Sequence, residues 1–78
     1  MNDDSTREII REALAGIAPE ADFDALDDEE DLRDAFELDS MDFFNFVVAL
    51  HKATGRDIPE SDYPRLTTLA GALAYFRE

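Results

Sequence analysis

Residues 41–50 read MDFFNFVVAL, an apolar run broken only by Asp42 and Asn45. At the helical period these side chains fall on two stripes. Phe43, Phe46, Val47 and Leu50 recur at i, i+3, i+4, i+7, and Met41, Phe44 and Val48 recur at i, i+3, i+7. A helix apolar nearly all round needs other elements packed about it. A chain of 78 residues buries only a modest core, with a stability of roughly 4–12 kcal/mol. The first stripe is therefore assigned to the core. The second is either extra core or a binding surface. This helix is predicted from about Ser40 to Ala53, with Thr54-Gly55 ending it and the glycine as a left-handed cap.

The remaining elements follow from periodicity and punctuation. Ser5 and Glu8 have capping-box spacing, and Ile10, Leu14 and Ile17, with Ile9 and Ala13 beside them, predict an amphipathic first helix that ends at Gly16 and Pro19. Arg7 and Arg11 lie one turn apart on it, solvated and paired with nearby acids. Residues 18–38 form a long connection with a helical turn near Asp31 to Phe36. Asp57-Ile58-Pro59-Glu60 opens a short helix from about Pro59 to Tyr63, which Pro64 stops. A last helix runs from Thr67, as N-cap, to about Phe76, with Leu69, Leu73 and Phe76 along one side. Within it Gly71 either weakens the helix or allows a close helix contact. No strand pattern and no internal repeat is visible. The fold class is all-α: one domain over residues 1–78, a small four-helix bundle with three longer helices, one short helix and a long first loop.

Charge narrows the partners. The formal net charge is −13, and residues 20–42 hold twelve acids and one arginine, a local net of −11. Phosphate-rich partners require Lys and Arg, so nucleic acid and anionic membranes are excluded, and a protein with a basic patch is the natural complement. Phe23, Leu26, Leu32, Phe36 and Leu38 punctuate the acidic stretch, which predicts a loop pinned to the core rather than a free tail. There is no cysteine, hence no disulfide and no thiol of the chain's own. The polar N-terminus carries no signal-peptide pattern and no apolar run approaches a membrane span, so a cytoplasmic protein is expected. Calcium-loop registers starting at Asp22 or Asp27 place Leu, Arg or Leu where oxygen ligands or glycine are needed, so no metal site is assigned.

Ser40 stands between Asp39 and Met41 where the apolar helix begins. With Asp39 as N-cap and Asp42 at the third helical position, a weak capping box forms, and Ser40 becomes the first helical residue with its hydroxyl free to face solvent. A nucleophilic serine needs a base, and the sole histidine, His51, lies eleven residues on, about 16 Å along the helix. The neighbours of Ser40 are anionic. The hydroxyl thus suits a substrate better than a catalyst, and no enzymatic activity is expected.

The stretch Leu38-Asp39-Ser40-Met41-Asp42 resembles the phosphopantetheine attachment motif of acyl carrier proteins. The resemblance extends over essentially the whole chain, through the acidic loop with Asp31-Leu32 and Phe36, the Gly55-Arg56-Asp57-Ile58-Pro59-Glu60 segment and Thr67-Thr68-Leu69. It implies that a phosphopantetheinyl transferase moves 4′-phosphopantetheine from coenzyme A onto Ser40, with Asp39 and Met41 flanking the attachment point. The arm would then hold acyl groups as thioesters for acyl-loading and acyl-processing enzymes of fatty-acid, polyketide or a dedicated pathway. Asp39, Met41, Asp42, Phe44 and Val48 are the implied partner contacts on a monomeric carrier. Met41 replaces the commoner leucine, Glu37 stands where a small residue is usual, and Asn45, His51 and Lys52 make the solvent side of the second helix less acidic than in many fatty-acid carriers. A peptidyl or aminoacyl carrier, and a carrier-fold interaction module lacking the arm, stand as alternatives.

Overall fold

The structure is a computed structural model that describes residues 2–20 and 22–77. Its elements are α1 (Asp3–Ala15), a 3-10 turn (Phe23–Ala25), the one-turn α2 (Leu32–Ala35), α3 (Ser40–Thr54), a 3-10 helix (Glu60–Leu66) and α4 (Leu69–Arg77). Helix α1 packs on α3 and α4, and the 3-10 helix packs on α4. The expected all-α bundle is what forms.

One core serves all the helices. Ile10 and Leu14 enter it from α1, Phe43, Phe46, Val47 and Leu50 from α3, and Leu69, Leu73 and Phe76 from α4, all buried. Burying an aliphatic or aromatic side chain of this kind contributes about 1.5–3 kcal/mol each before conformational entropy is charged against it. The first stripe of α3 is thus wholly interior.

The first helix starts earlier than the Ser5–Glu8 spacing suggests. Asn2 is the N-cap, its side-chain oxygen accepting from the Ser5 N–H at 2.8 Å. A cap three residues upstream places Asp3 and Asp4 in the first turn, where the helix dipole favours acids. It also brings Thr6 onto the buried face, where its hydroxyl donates to the Asn2 carbonyl at 2.9 Å. Ile17 lies beyond the end of α1, in the turn that follows, and packs against the core from there.

The acidic connection is pinned, as its apolar punctuation predicts. Leu32, Phe36 and Leu38 are buried, and Phe23 and Leu26 pack against the core. Backbone bonds fasten the loop to the start of α4: Leu32 N–H donates to the Thr67 carbonyl at 2.7 Å, and Ala70 N–H to the Asp28 carbonyl at 2.9 Å. Arg7 bonds Asp28 at 3.0 Å, and Arg11 pairs with Asp24 while lying over the Phe23 ring at 4.9 Å. The two arginines, still partly open to solvent, are paired with acids as expected, and these pairs tie α1 to the loop.

Two boundaries after α3 differ from the sequence reading. Pro64 does not stop the short helix, which is of 3-10 type, begins after Pro59 and runs on to Leu66. Proline removes only one donor from so short a segment, and its carbonyl still accepts from the Thr67 hydroxyl at 3.1 Å. Helix α4 is capped by Thr68 rather than Thr67, with the Thr68 hydroxyl oxygen accepting from Gly71 N–H at 3.0 Å. Thr67 is drawn away from the cap by its bonds to Pro64 and Leu32. Gly71 itself is where the 3-10 helix and α4 touch: a Cβ there would fall inside van der Waals distance of the Arg65 carbonyl oxygen.

Candidate functional site

Helix α3 begins at Ser40 because Asp39 closes its N-terminus. The Asp39 carboxylate accepts from Asp42 N–H at 2.8 Å, and the Asp42 carboxylate accepts in return from Asp39 N–H at 3.4 Å. The long return bond is what the shorter aspartate side chain gives in a capping box. At the other end Gly55 adopts φ 72, and its N–H donates to the His51 carbonyl at 2.8 Å, the left-handed cap expected there. The capping work falls to Asp39. Ser40 is exposed, and among the described residues its hydroxyl has no hydrogen-bond partner.

His51 is committed elsewhere. Its Nδ1 lies 2.7 Å from the Arg56 carbonyl oxygen and 4.0 Å from the Asp57 carboxylate, at the opposite end of α3 from Ser40. These contacts tie the end of α3 to the following loop.

An open depression of about 570 Å³ lies beside Ser40, between the start of α3 and the 3-10 helix. Arg33, Glu60 and Thr67 supply polar groups to it, and Phe43, Phe44, Tyr63 and Pro64 supply apolar walls. A second depression of about 440 Å³ shares Phe44 and Tyr63 with the first and is lined further along by Val47, Val48, Ile58 and Pro59. The trough thus runs from polar groups near the exposed hydroxyl to a mainly apolar stretch that His51 and Asp57 also line.

The second stripe of α3 stands at the edge of this trough. Met41 is 66% exposed and Phe44 46%, the two large hydrophobic side chains most open to solvent among the described residues, while Val48 is half-buried. Asp39 is exposed and Asp42 half-buried. Met41, Phe44 and Val48 share one face of α3, and Asp39 and Asp42 stand at its N-terminus beside Ser40. Sequence reasoning missed the opposite wall, made of Arg33, Tyr63, Pro64 and Thr67. Arg33 had a signal, as the sole basic residue within 20–42. The other three had none, because their placement depends on how the 3-10 helix docks.

Glu37, three residues before Ser40, has φ 54. Left-handed backbone at a residue with a Cβ is strained, which gives a physical reason for a small residue at this position. Leu38 N–H donates back to the Arg33 carbonyl at 2.8 Å, so the turn that delivers Ser40 is closed on α2.

The family model for the phosphopantetheine attachment site matches residues 7–76. The chain belongs to this family. No curated protein and no solved structure gives a significant match. Members carry 4′-phosphopantetheine covalently on a serine, so this is a phosphopantetheine-bearing carrier protein of the acyl carrier type. Such carriers interact with a phosphopantetheinyl transferase and with acyl-processing enzymes. Among the described residues no helix is long and apolar enough to cross a membrane.

Proposed function

We propose that Ser40 is the attachment serine and that the chain acts as a monomeric acyl carrier of the cytoplasm, without catalytic activity of its own. One observation carries the assignment: an exposed hydroxyl, relieved of capping by Asp39, at the first position of α3 and on the rim of the trough. The other serine within the matched residues, Ser61, sits inside the 3-10 helix. The arm, when bound, supplies the thiol that this cysteine-free chain lacks. The chain's own residues do the rest. Asp39 and Asp42 hold the backbone around Ser40 in one conformation and leave its hydroxyl open to the transferase. Met41, Phe44 and Val48 give partner enzymes an apolar face to bury, and Asp39 and Asp42 give them charge to steer by.

The test is intact mass after incubation with coenzyme A, Mg²⁺ and a broad-specificity phosphopantetheinyl transferase, with Ser40→Ala and a known carrier in parallel. A gain of one phosphopantetheine in the wild type alone is expected. No gain in the folded wild type, with the known carrier modified, overturns the assignment and leaves an interaction module gripped by its apolar stripe. Loading of the holo protein by acyl-transferring rather than adenylating amino-acid-activating enzymes is the outcome expected of an acyl carrier.

A further inference from the structure

A phosphodiester on Ser40 enters an unfavourable field. The positive end of α3 already holds two carboxylates, Asp39 accepting from Asp42 N–H and Asp42 from Asp39 N–H. The surrounding residues 20–42 carry a local net charge of −11. Adding another anion there calls for a cation close by, because like charges repel.

The chain offers few. Arg7 and Arg11 are engaged with Asp28 and Asp24. Arg56 and Arg65 lie over the Tyr75 ring at 4.3 and 4.8 Å, Arg77 pairs with Asp3, and Lys52 stands in the last turn of α3, about 18 Å along the helix from Ser40. Arg33 is different. It lines the same depression as Ser40, it is exposed, and among the described residues no carboxylate lies within ion-pairing distance of it, although twelve acids crowd the stretch around it. Its guanidinium sits 5.8 Å from the centre of the Phe43 ring. Phe43 is three residues beyond Ser40 on α3, so its side chain is a same-face neighbour of the attachment point. The Arg33 backbone is tied in as well, through its carbonyl bond to Leu38.

We infer that Arg33 is a positioning residue for the arm: its guanidinium holds the phosphodiester on Ser40 against the Phe43 rim and so directs the arm into the trough between α3 and the 3-10 helix. The inference rests on Ser40 being the attachment serine. A planar guanidinium suits this role, because it stacks on an aromatic face while its N–H groups donate to phosphate oxygens. Arg33 is the cationic residue of the depression, which Glu60 also lines.

The test compares apo and holo forms of the wild type, Arg33→Gln and Arg33→Lys. Thermal melts at low salt give four corners of a cycle. Converting apo to holo should lower Tm further in Arg33→Gln than in the wild type, by about 2–6 °C, with Arg33→Lys between them and the difference shrinking at high salt. The ³¹P resonance of the holo protein gives an independent reading: its chemical shift should move, and its line sharpen, when Arg33 is replaced by Gln. Equal Tm changes in apo and holo forms with an unmoved ³¹P signal would show that Arg33 only packs on Phe43, and would overturn the inference. Failure of Ser40 to accept the arm at all leaves no holo form to measure, and is recognised at the mass-spectrometry step as failure of the attachment assignment instead.

Discussion

Gly71→Ala in α4 is expected to destabilise the protein, against the usual direction. In a helix interior, alanine for glycine gains about 1 kcal/mol. Here the added Cβ would overlap the Arg65 carbonyl oxygen, and would come within 3.0 Å of the Thr68 hydroxyl oxygen and 3.4 Å of the Arg65 carbonyl carbon. Two of these three atoms are backbone, so relief requires moving the 3-10 helix away from α4. Overpacking of this kind costs roughly 1–3 kcal/mol. Pushing the Thr68 hydroxyl off the Gly71 N–H loses a helix cap, a further 0.5–2 kcal/mol or so. Set against the propensity gain, the net loss is about 0.5–4 kcal/mol, a fall in Tm of roughly 2–30 °C for a domain this small. Thermal unfolding followed by circular dichroism measures it. Ala74→Gly, an exposed position on the same helix, serves as the control and should cost about 1 kcal/mol by propensity alone. A Gly71→Ala protein as stable as the wild type or more so would refute the close contact, and with it the docking of the 3-10 helix that builds the wall opposite Ser40.

Glu37→Gly should stabilise the fold: relief of about 1–2 kcal/mol of left-handed strain at φ 54 exceeds the 0.4–1 kcal/mol or so lost to a freer unfolded chain, and a higher denaturation midpoint in urea would register it. Added salt or Mg²⁺ should raise Tm, because a local net of −11 over residues 20–42 repels itself at low ionic strength, and a Tm indifferent to both would count against that repulsion. Hydrogen bonds from Arg11 and Arg77 hold the Asp24 and Asp3 carboxyls below their ordinary value of 3.8. Their folded-state values lie below the unfolded ones, so the stability they lend is present above that ordinary value and lost as pH falls through the folded values. Carboxyl chemical shifts should titrate below 3.8 in both, and Arg11→Gln should return Asp24 alone to the ordinary range.

Much of the bundle was legible because local rules and burial agreed. The core face of α3, the Asp39 cap, the Gly55 cap and the one-turn helix around Leu32–Ala35 each follow from spacings a few residues long. What was not legible required knowing which remote group competes for a side chain or a backbone bond. Thr67 and Thr68 are equivalent caps by sequence. The choice falls to Thr68 because the Thr67 carbonyl is taken by Leu32, thirty-five residues upstream, and its hydroxyl by Pro64. Tyr75 shows the same limit. It reads as one more apolar position of α4, yet its buried hydroxyl donates to Asp62 at 2.7 Å, and burial pushes its pKa up.

The two stripes of α3 resolve the question that an all-apolar helix poses. Phe43 and Phe44 are neighbours in sequence but about 100° apart around the helix. That rotation carries Phe43 into the core at 7% exposure and leaves Phe44 out at 46%. Among the described residues Met41 and Phe44 stay open to solvent, with α1 packed on α3 and the 3-10 helix facing Phe44 across the trough. Exposing Met41 and Phe44 forgoes burial that would contribute about 1.5–3 kcal/mol each. On the function proposed above, the missing cover is supplied from outside, by a transferase or a processing enzyme. The exposed hydroxyl of Ser40 lies at the near end of the same stripe, so whatever buries Met41 and Phe44 is brought close to Ser40 by the same contact.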